Sequence, residues 1–220
     1  MDANDSHFPS DNRTPSLDSD GAFGQVRVAR SFDIDGIVAT LTSAFFDDPL
    51  WGPTFPDESH RFEQASAFWR LLATSAGRYP WSFVTERIES TAIWIPSGGN
   101  ELTSTEQDTF EDFLVETAGR QVADRILSIT ELFEQARPSD PHHYLSLLAT
   151  HKRHRGHGTG MNLLRENLVR IDELGVSAYL ESTNPANNER YQSVGFRLHG
   201  SFATPSGHTV TTMWRSAKQQ

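Results

Sequence analysis

The segment that decides the fold lies in the second half of the chain, where residues 142–170 read HHYLSLLATHKRHRGHGTGMNLLRENLVR. Its apolar beginning, HYLSLLAT, follows two prolines and predicts a buried strand, because a short apolar run bounded by turn residues is typical of one. Leucines then recur at helical spacing from Gly160 to Gly175, which predicts an amphipathic helix that ends on a glycine cap. A basic, glycine-rich loop joins the two elements.

That loop, residues 151–160, reads HKRHRGHGTG and favours an anionic ligand. The first amides of a helix have no intrahelical partner, and glycine lets this backbone approach a phosphate without a Cβ in the way. A Walker loop is excluded because Gly-Lys-Ser/Thr is missing. A dinucleotide-binding fingerprint is also excluded, since Met161 stands where its third glycine belongs and too little chain follows for that fold.

Two other interpretations of the loop remain open. Three histidines, His151, His154 and His157, recur at a spacing close to that of metal ligands. On a glycine-rich loop this spacing gives the rings no common face, and no carboxylate is adjacent, so we expect no metal. An ordinary flexible basic loop is the second alternative.

Composition narrows the class of protein. The 220 residues carry a formal charge of −10, with 29 acidic and 19 basic side chains, which argues against binding to nucleic acid. Since cysteine is absent, disulfides and thiolate chemistry are excluded. No apolar run is long enough for a membrane span, and the N-terminus lacks the features of a signal peptide, so we expect a cytoplasmic protein with no membrane partner.

The pattern of the chain predicts a disordered tail over residues 1–24 and a single domain over residues 25–216. Strand and helix patterns alternate after residue 141, so the fold class is α+β, or α/β-like, with a mixed sheet. The first half has a strand at QVRVAR, two amphipathic helices, a hairpin and a helical region over 103–136 that divides near Gly119. The segment DPLWGPTFPD between the first two helices is predicted to be a loop.

Two motifs in this chain resemble those of the GNAT superfamily of N-acetyltransferases. Residues 142–164 are similar to its motif A, a strand followed by Q/R-x-x-G-x-G/A and a helix, with Arg155 in the first position. Residues 179–196, YLESTNPANNERYQSVGF, resemble its second signature, an asparagine followed by Tyr-x-x-x-Gly-Phe. The beginning of the strand and residues 45–61 are similar to the subgroup that includes puromycin N-acetyltransferase. The family's Val-x-Pro before the loop is replaced by Thr-His-Lys.

The resemblance implies a central mixed sheet that splays open and is flanked by helices. It implies acetyl-CoA as the cosubstrate, with pantetheine lying along one strand and the pyrophosphate on the loop. Asn187, or Asn188 in its place, would bind the pantetheine amides. The strand and loop residues that the resemblance assigns to the coenzyme are Leu148, Ala149, Thr150, Arg155, Gly156, His157, Gly158, Thr159 and Gly160.

The family's chemistry assigns Tyr191 as the acid that protonates the departing thiolate. Glu181 ends a strand and is the candidate base, although a hydrogen-bonded strand-end carboxylate is an equal alternative. For the acceptor site we select Trp51, Phe45 and His142, the last because its ordinary pKa suits proton transfer.

These observations predict an acetyl-CoA-dependent enzyme that acetylates a primary amine of a small molecule by direct transfer. The alternatives are a protein or peptide N-acetyltransferase and a non-catalytic acyl-CoA sensor. We expect a monomer or a homodimer, and the acceptor, an antibiotic or a metabolite, is not identified by the sequence.

Overall fold

A computed structural model describes residues 25–218, in which seven strands form one mixed sheet with the order β1-β2-β3-β4-β5-β7-β6. The predicted fold class is confirmed. β4 and β5 run parallel, and the other neighbouring strands are antiparallel. The strands are β1 (Val26–Val28), β2 (Ser82–Thr85), β3 (Ser90–Ile95), β4 (His142–Thr150), β5 (Ser177–Ser182), β6 (Arg197–Ala203) and β7 (Thr209–Arg215).

Eight α-helices cover the two faces of the sheet in the described part of the chain. The region 103–136 divides at Gly119, as predicted, and again at Thr109. The predicted tail, residues 1–24, lies outside the described residues. The helices are α1 (Ile34–Phe45), α2 (Trp51–Thr54), α3 (Arg61–Ala76), α4 (Ser104–Asp108), α5 (Phe110–Ala118), α6 (Arg120–Ala136), α7 (Thr159–Glu173) and α8 (Asn188–Gln192).

The core has two halves, one on each face of the sheet. Helices α1, α3, α5 and α6 cover one face, and α7 packs its leucines on the other. An extra residue in β4, Ser146, shifts the register against β3. Because a bulge reverses the alternation of side chains, Tyr144 and Leu147 both face the half that α1 and α3 cover.

The sheet splays open between its two parallel strands. β4 pairs with β5 over His142–Tyr144 and no further. Beyond Tyr144, β4 continues to pair with β3, whereas β5 continues to pair with β7. Each strand is thus held by its outer neighbour, and a wedge opens between the C-terminal halves of β4 and β5.

The prediction of a loop for DPLWGPTFPD is wrong at its centre, where Trp51–Thr54 form one helical turn. The cause is Asp48, whose Oδ1 accepts hydrogen bonds from the N–H groups of Leu50 at 2.9 Å and Trp51 at 3.1 Å. A carboxylate that accepts the first amides stabilises even a short helix.

No helix within residues 25–218 is long and apolar enough to span a bilayer.

His143 makes the stability of the fold depend on pH. Its side chain is buried, both ring nitrogens lack a hydrogen-bond partner, and the ring lies edge-on to Trp81 at 4.5 Å between centroids. Burial lowers the pKa of His143 below its ordinary value. The unfolded chain therefore binds this proton more readily, so stability is full above about pH 6.5 and is lost as the pH falls further.

We expect the free energy of unfolding of His143→Phe to fall less than that of the wild type between about pH 7 and pH 5, because the unfolded variant no longer gains a proton at this position. Urea unfolding at a series of pH values measures it, with the exposed ring replaced in His157→Phe as the control. Parallel curves for the wild type and His143→Phe would contradict the assignment.

Candidate active site

The wedge between β4 and β5 contains a cavity of about 560 Å³. We call it the coenzyme cavity, after the ligand that the sequence predicts for it. One wall is the end of β4, a second is the loop before α7, and a third is the segment before α8. Most of the predicted coenzyme residues line this cavity together, namely Leu148, Ala149, Thr150, Arg155, Gly156, Gly158, Thr159, Gly160 and Asn187.

The open edge of β4 presents backbone groups to this cavity. The His151 N–H donates to Glu89 O at 2.8 Å on the β3 side. Since the direction of backbone groups alternates along an antiparallel strand, the peptide groups of Ala149 also face β3. Those of Leu148 and Thr150 therefore face the wedge, where an extended chain of amides can pair with them as an added strand would.

The loop before α7 forms the glycine-rich end of the coenzyme cavity. The first intrahelical bond joins the Asn162 N–H to Gly158 O, so the preceding amides of α7 have no intrahelical partner. Gly156 and Gly158 have φ values of 85° and 77°, a region that disfavours side chains. A Cβ on Gly160 would lie 2.4 Å from Thr150 Oγ1. The loop therefore requires glycine at all three positions.

A buried polar atom without a partner also points to a ligand here. Thr159 Oγ1 is shielded from solvent and has no hydrogen-bond partner in the described part of the chain. Buried hydroxyls are almost always hydrogen-bonded, so an acceptor such as a phosphate oxygen suits this position. Sequence reasoning missed two basic side chains that line the same cavity, His154 and Arg190.

Two contacts attach the loop to the C-terminal end of α1. Arg155 Nη2 donates to Ala44 O at 2.6 Å, and the Lys152 N–H donates to Ser43 Oγ at 3.2 Å. A cation is favourable beside the last carbonyls of a helix, so Arg155 fixes the loop as well as lining the cavity.

His157, the remaining predicted coenzyme residue, is exposed and does not line the coenzyme cavity. Within residues 25–218, no group of three His, Asp or Glu side chains is placed to hold a metal ion.

A second and smaller cavity, of about 80 Å³, lies on the α1 and α3 side of the wedge. We call it the acceptor cavity. Phe45 and Trp51, both predicted for the acceptor, line it, as do Glu181 and Tyr191. His142 does not: it lies at the closed end of β4, where its Nδ1 lies 2.6 Å from Asp140 O and its ring packs on Tyr179 and Trp214.

The two cavities meet at a small set of shared residues. Among these, Asp48 was missed by sequence reasoning, because a single acid in a loop gives no signal of its own. Its Oδ2 accepts a hydrogen bond from Thr183 Oγ1 at 3.0 Å, which ties the α1–α2 connection to the end of β5. The shared residues are Phe45, Asp48, Leu148, Asn187 and Tyr191.

Asn187 and Tyr191 come from the segment that follows β5. Asn187 Oδ1 accepts a hydrogen bond from Arg190 Nη1 at 3.0 Å, which leaves its amide donors available to a ligand. Burial, with a smaller effect from Asp48, raises the pKa of Tyr191 to about 12, so the phenol keeps its proton at neutral pH. Asn188 lines neither cavity, and its Nδ2 donates to Thr211 Oγ1 at 3.2 Å.

Glu181 has the properties of a proton acceptor. Its Oε1 is shielded from solvent and accepts no hydrogen bond in the described part of the chain. Burial raises the pKa of Glu181 to about 7, against the opposing charge of Arg137. A carboxyl that titrates near neutral pH suits general base catalysis.

A partly buried network of charges lies next to Glu181. Arg137 Nη2 pairs with Glu101 Oε2 at 3.4 Å, and its Cζ lies 4.0 Å from the centroid of the Tyr144 ring. Glu101 Oε1 also accepts a hydrogen bond from Ser146 Oγ at 2.5 Å, at the bulge of β4. Neither Glu101 nor Arg137 was singled out from the sequence, because the fold brings them here from separate segments.

Known structures share this architecture. No family model matches the chain. The chain is similar to a structure described as histone acetyltransferase HPA2 and related acetyltransferase from Corynebacterium glutamicum, with a TM-score of 0.65, 23% identity and coverage of 89% of this chain and 97% of that one. An arylalkylamine N-acetyltransferase from Aedes aegypti gives a TM-score of 0.62 at 15% identity, with 88% of this chain and 99% of that chain covered.

An agmatine N-acetyltransferase gives a TM-score of 0.57 at 17% identity, with 87% of this chain and 98% of that chain covered. At these identities the likeness establishes the fold. The chain therefore has the GNAT fold that N-acetyltransferases share, and its sheet splays open as the resemblance implies.

We expect Gly158→Val to abolish binding of coenzyme A, because a β-branched side chain at positive φ distorts the loop before α7. Gly207→Val is the matched control, since Gly207 has a φ of 82° in the turn between β6 and β7 and lines neither cavity. Both substitutions cost about 1–3 kcal/mol in stability. Isothermal calorimetry with coenzyme A separates them, and equal affinity in both variants would refute the assignment of this loop.

Proposed function

We propose that this protein is an acetyl-CoA-dependent N-acetyltransferase that acts on a primary amine of a small molecule. One observation carries the proposal: a cavity with an anion-binding end meets an enclosed acceptor cavity, and Tyr191 lies where they join. This arrangement suits direct transfer between two molecules that are bound side by side, which replaces a bimolecular encounter with a fixed geometry.

The residues of the coenzyme cavity fit acetyl-CoA, which supplies the acetyl thioester. The amides at the start of α7 and the side chain of Thr159 would hold the pyrophosphate. The open edge of β4 would pair with pantetheine through Leu148 and Thr150, assisted by the amide of Asn187. The N–H of Leu148, which faces the wedge, would stabilise negative charge on the acetyl oxygen as it develops.

Two side chains, Glu181 and Tyr191, would each carry out one of the two proton transfers. Glu181, with a pKa of about 7, would take a proton from the acceptor's ammonium group and release a neutral amine nucleophile. Tyr191, with a pKa of about 12, would keep its proton until the thiolate departs and then donate it to the sulfur. The acid and the base are thus separate groups: the phenol stays protonated at neutral pH, whereas the carboxyl is partly ionised and can accept a proton.

The small size and enclosure of the acceptor cavity favour a small molecule over a protein. A lysine on a protein surface would need an open groove, whereas this cavity is walled by aromatic side chains from α1, α2 and α3. The similarity of residues 45–61 to the puromycin N-acetyltransferase subgroup agrees with a small-molecule acceptor.

Release of free coenzyme A thiol from acetyl-CoA with a panel of primary amines tests the proposal. We expect turnover with the wild type and a loss of at least about tenfold in kcat for Tyr191→Phe, with unchanged affinity for coenzyme A. Absence of both acetyl-CoA binding and turnover would contradict the proposal. Binding without transfer to any amine would favour a sensor, and equal turnover in Tyr191→Phe would reject the role of the phenol.

The pH dependence tests the base separately. The carboxyl of Glu181 must be ionised to accept a proton, so kcat/KM should rise with pH through about 7. Arg137→Met removes the charge that lowers the pKa of Glu181, so the rise of kcat/KM should move to higher pH. Arg120→Met, in an exposed ion pair with Glu111, is the control and should leave it in place. An unchanged pH for the rise of kcat/KM in Arg137→Met would contradict the assignment of Glu181 as the base.

A further inference from the structure

The acceptor cavity is lined by three carboxylates, those of Asp48, Glu101 and Glu181. Among the described residues that line it, none is Lys, Arg or His. The carboxylates come from the α1–α2 connection, the segment before α4 and the end of β5, so the fold brings them together from distant parts of the chain. Within residues 25–218, Glu181 Oε1 is shielded from solvent and has no hydrogen-bond partner, so this oxygen can accept a hydrogen bond from a ligand.

Besides Tyr191, six aromatic residues line the acceptor cavity, and the rest of its wall, apart from the three carboxylates, is aliphatic or small and polar. The faces of aromatic rings attract cations, and a cage of rings beside carboxylates favours an ammonium group over any anion. The volume of about 80 Å³ is several times the 10–15 Å³ or so that one water needs, so the cavity admits a short chain or a single ring. The aromatic residues are Phe45, Trp51, Phe68, Trp69, Phe133 and Tyr144.

The nearest positive charge, Arg137, does not line the cavity. Its guanidinium packs on the ring of Tyr144 and pairs with Glu101. Arg137 therefore compensates the charge of Glu101 without lining the cavity. It offers no donor to the carboxylate of a ligand bound there. Its charge would act on a ligand if Glu101 were neutral.

The cavity has a reacting end and a far end. Asp48 and Tyr191 line both cavities and mark the reacting end, where the acceptor nitrogen meets the acetyl group. Glu101 lines the acceptor cavity alone and accepts a hydrogen bond from Ser146, which lies two residues before the shared Leu148 on β4, towards the closed end of the wedge; Glu101 therefore marks the far end. An amino acid acceptor would place its carboxylate beside Asp48 and Glu181 if the α-amine reacted. If a side-chain amine reacted, the carboxylate would lie beside Glu101.

We propose that the acceptor is a short primary amine that carries no carboxylate, and that Glu101 is the residue that excludes the carboxylate at the far end. This specificity rests on the proposed acetyl transfer for its biological meaning, but the selective binding of amines does not depend on it. A like charge in an enclosed site weakens binding by several factors of ten, so each amine should bind at least about 100-fold more tightly than its carboxylate-bearing counterpart.

Isothermal calorimetry on the full chain without coenzyme measures this difference, because no transfer occurs. The two matched pairs are 1,4-diaminobutane against ornithine and phenethylamine against phenylalanine. The expected result is binding of an amine in at least one pair and, in that pair, about 100-fold weaker binding of the amino acid. Equal affinity within a pair, or no binding of either amine at millimolar concentration, overturns the proposal.

The variant Glu101→Gln tests the role of the far end. It leaves the charge of Arg137 uncompensated, so ornithine should gain affinity relative to 1,4-diaminobutane by about tenfold or more. Glu111→Gln, at an exposed ion pair on α5, is the control and should leave the ratio unchanged. An unchanged ratio in Glu101→Gln removes Glu101 from the account, and the wild-type comparison still decides the proposal if that variant fails to fold.

Failure of this inference is distinguishable from failure of the proposed function. Amines that bind selectively to a protein without acetyl transfer would support the cavity's specificity and reject the enzyme. Acetyl transfer with equal kcat/KM for 1,4-diaminobutane and ornithine would support the enzyme and reject the specificity.

Discussion

The divergence of β4 from β5 is the constraint on which the rest of the molecule depends. Each strand keeps its hydrogen bonds to its outer neighbour, β3 or β7, and so the two cannot close on each other. The peptide groups of Leu148 and Thr150 are left facing the wedge, and backbone groups in such a position need a partner. The wedge therefore offers backbone groups that a ligand could pair with, and helix α7 begins beside it with amides that have no intrahelical partner.

The two cavities that meet in the wedge have opposite electrostatic character. The coenzyme cavity combines the positive end of α7 with His154, Arg155 and Arg190, which suits phosphate groups. The acceptor cavity is lined by carboxylates and aromatic rings, which suits a cation. An anionic coenzyme and a cationic acceptor, as proposed, would thus bind to neighbouring sites without competing for either one. Tyr191 lies at the boundary, where the reacting atoms of the two ligands would meet.

Sequence patterns predicted the parts of the molecule that are continuous in the chain. The strand, glycine loop and helix over residues 142–170 form as expected, because each follows from local periodicity and from the backbone freedom of glycine. Tyr191 and Asn187 were found for the same reason, since they stand in one short signature. The helical turn at Trp51 was missed because it depends on a cap by Asp48, which no periodicity indicates.

Charges that act together from separate segments could not be predicted in this way. Glu101, Arg137 and Glu181 are 36 to 80 positions apart in the chain, and tertiary packing alone makes them neighbours. The net charge of −10 argued only against nucleic acid and gave no location for the charge, whereas the fold places part of it in the acceptor cavity. His142 was selected for its ordinary pKa, but the closed end of β4 keeps it out of both cavities.

Hydrogen exchange of individual amides with and without coenzyme A tests the central claim most directly. We predict that binding slows exchange at Leu148 and Thr150 on the open edge of β4 and at Thr159, Gly160 and Met161 at the start of α7. The amide of Ala149, which faces β3, should change much less than its two neighbours. Binding that leaves the amides of Leu148 and Thr150 unprotected, or that protects a different part of the fold, would contradict the account.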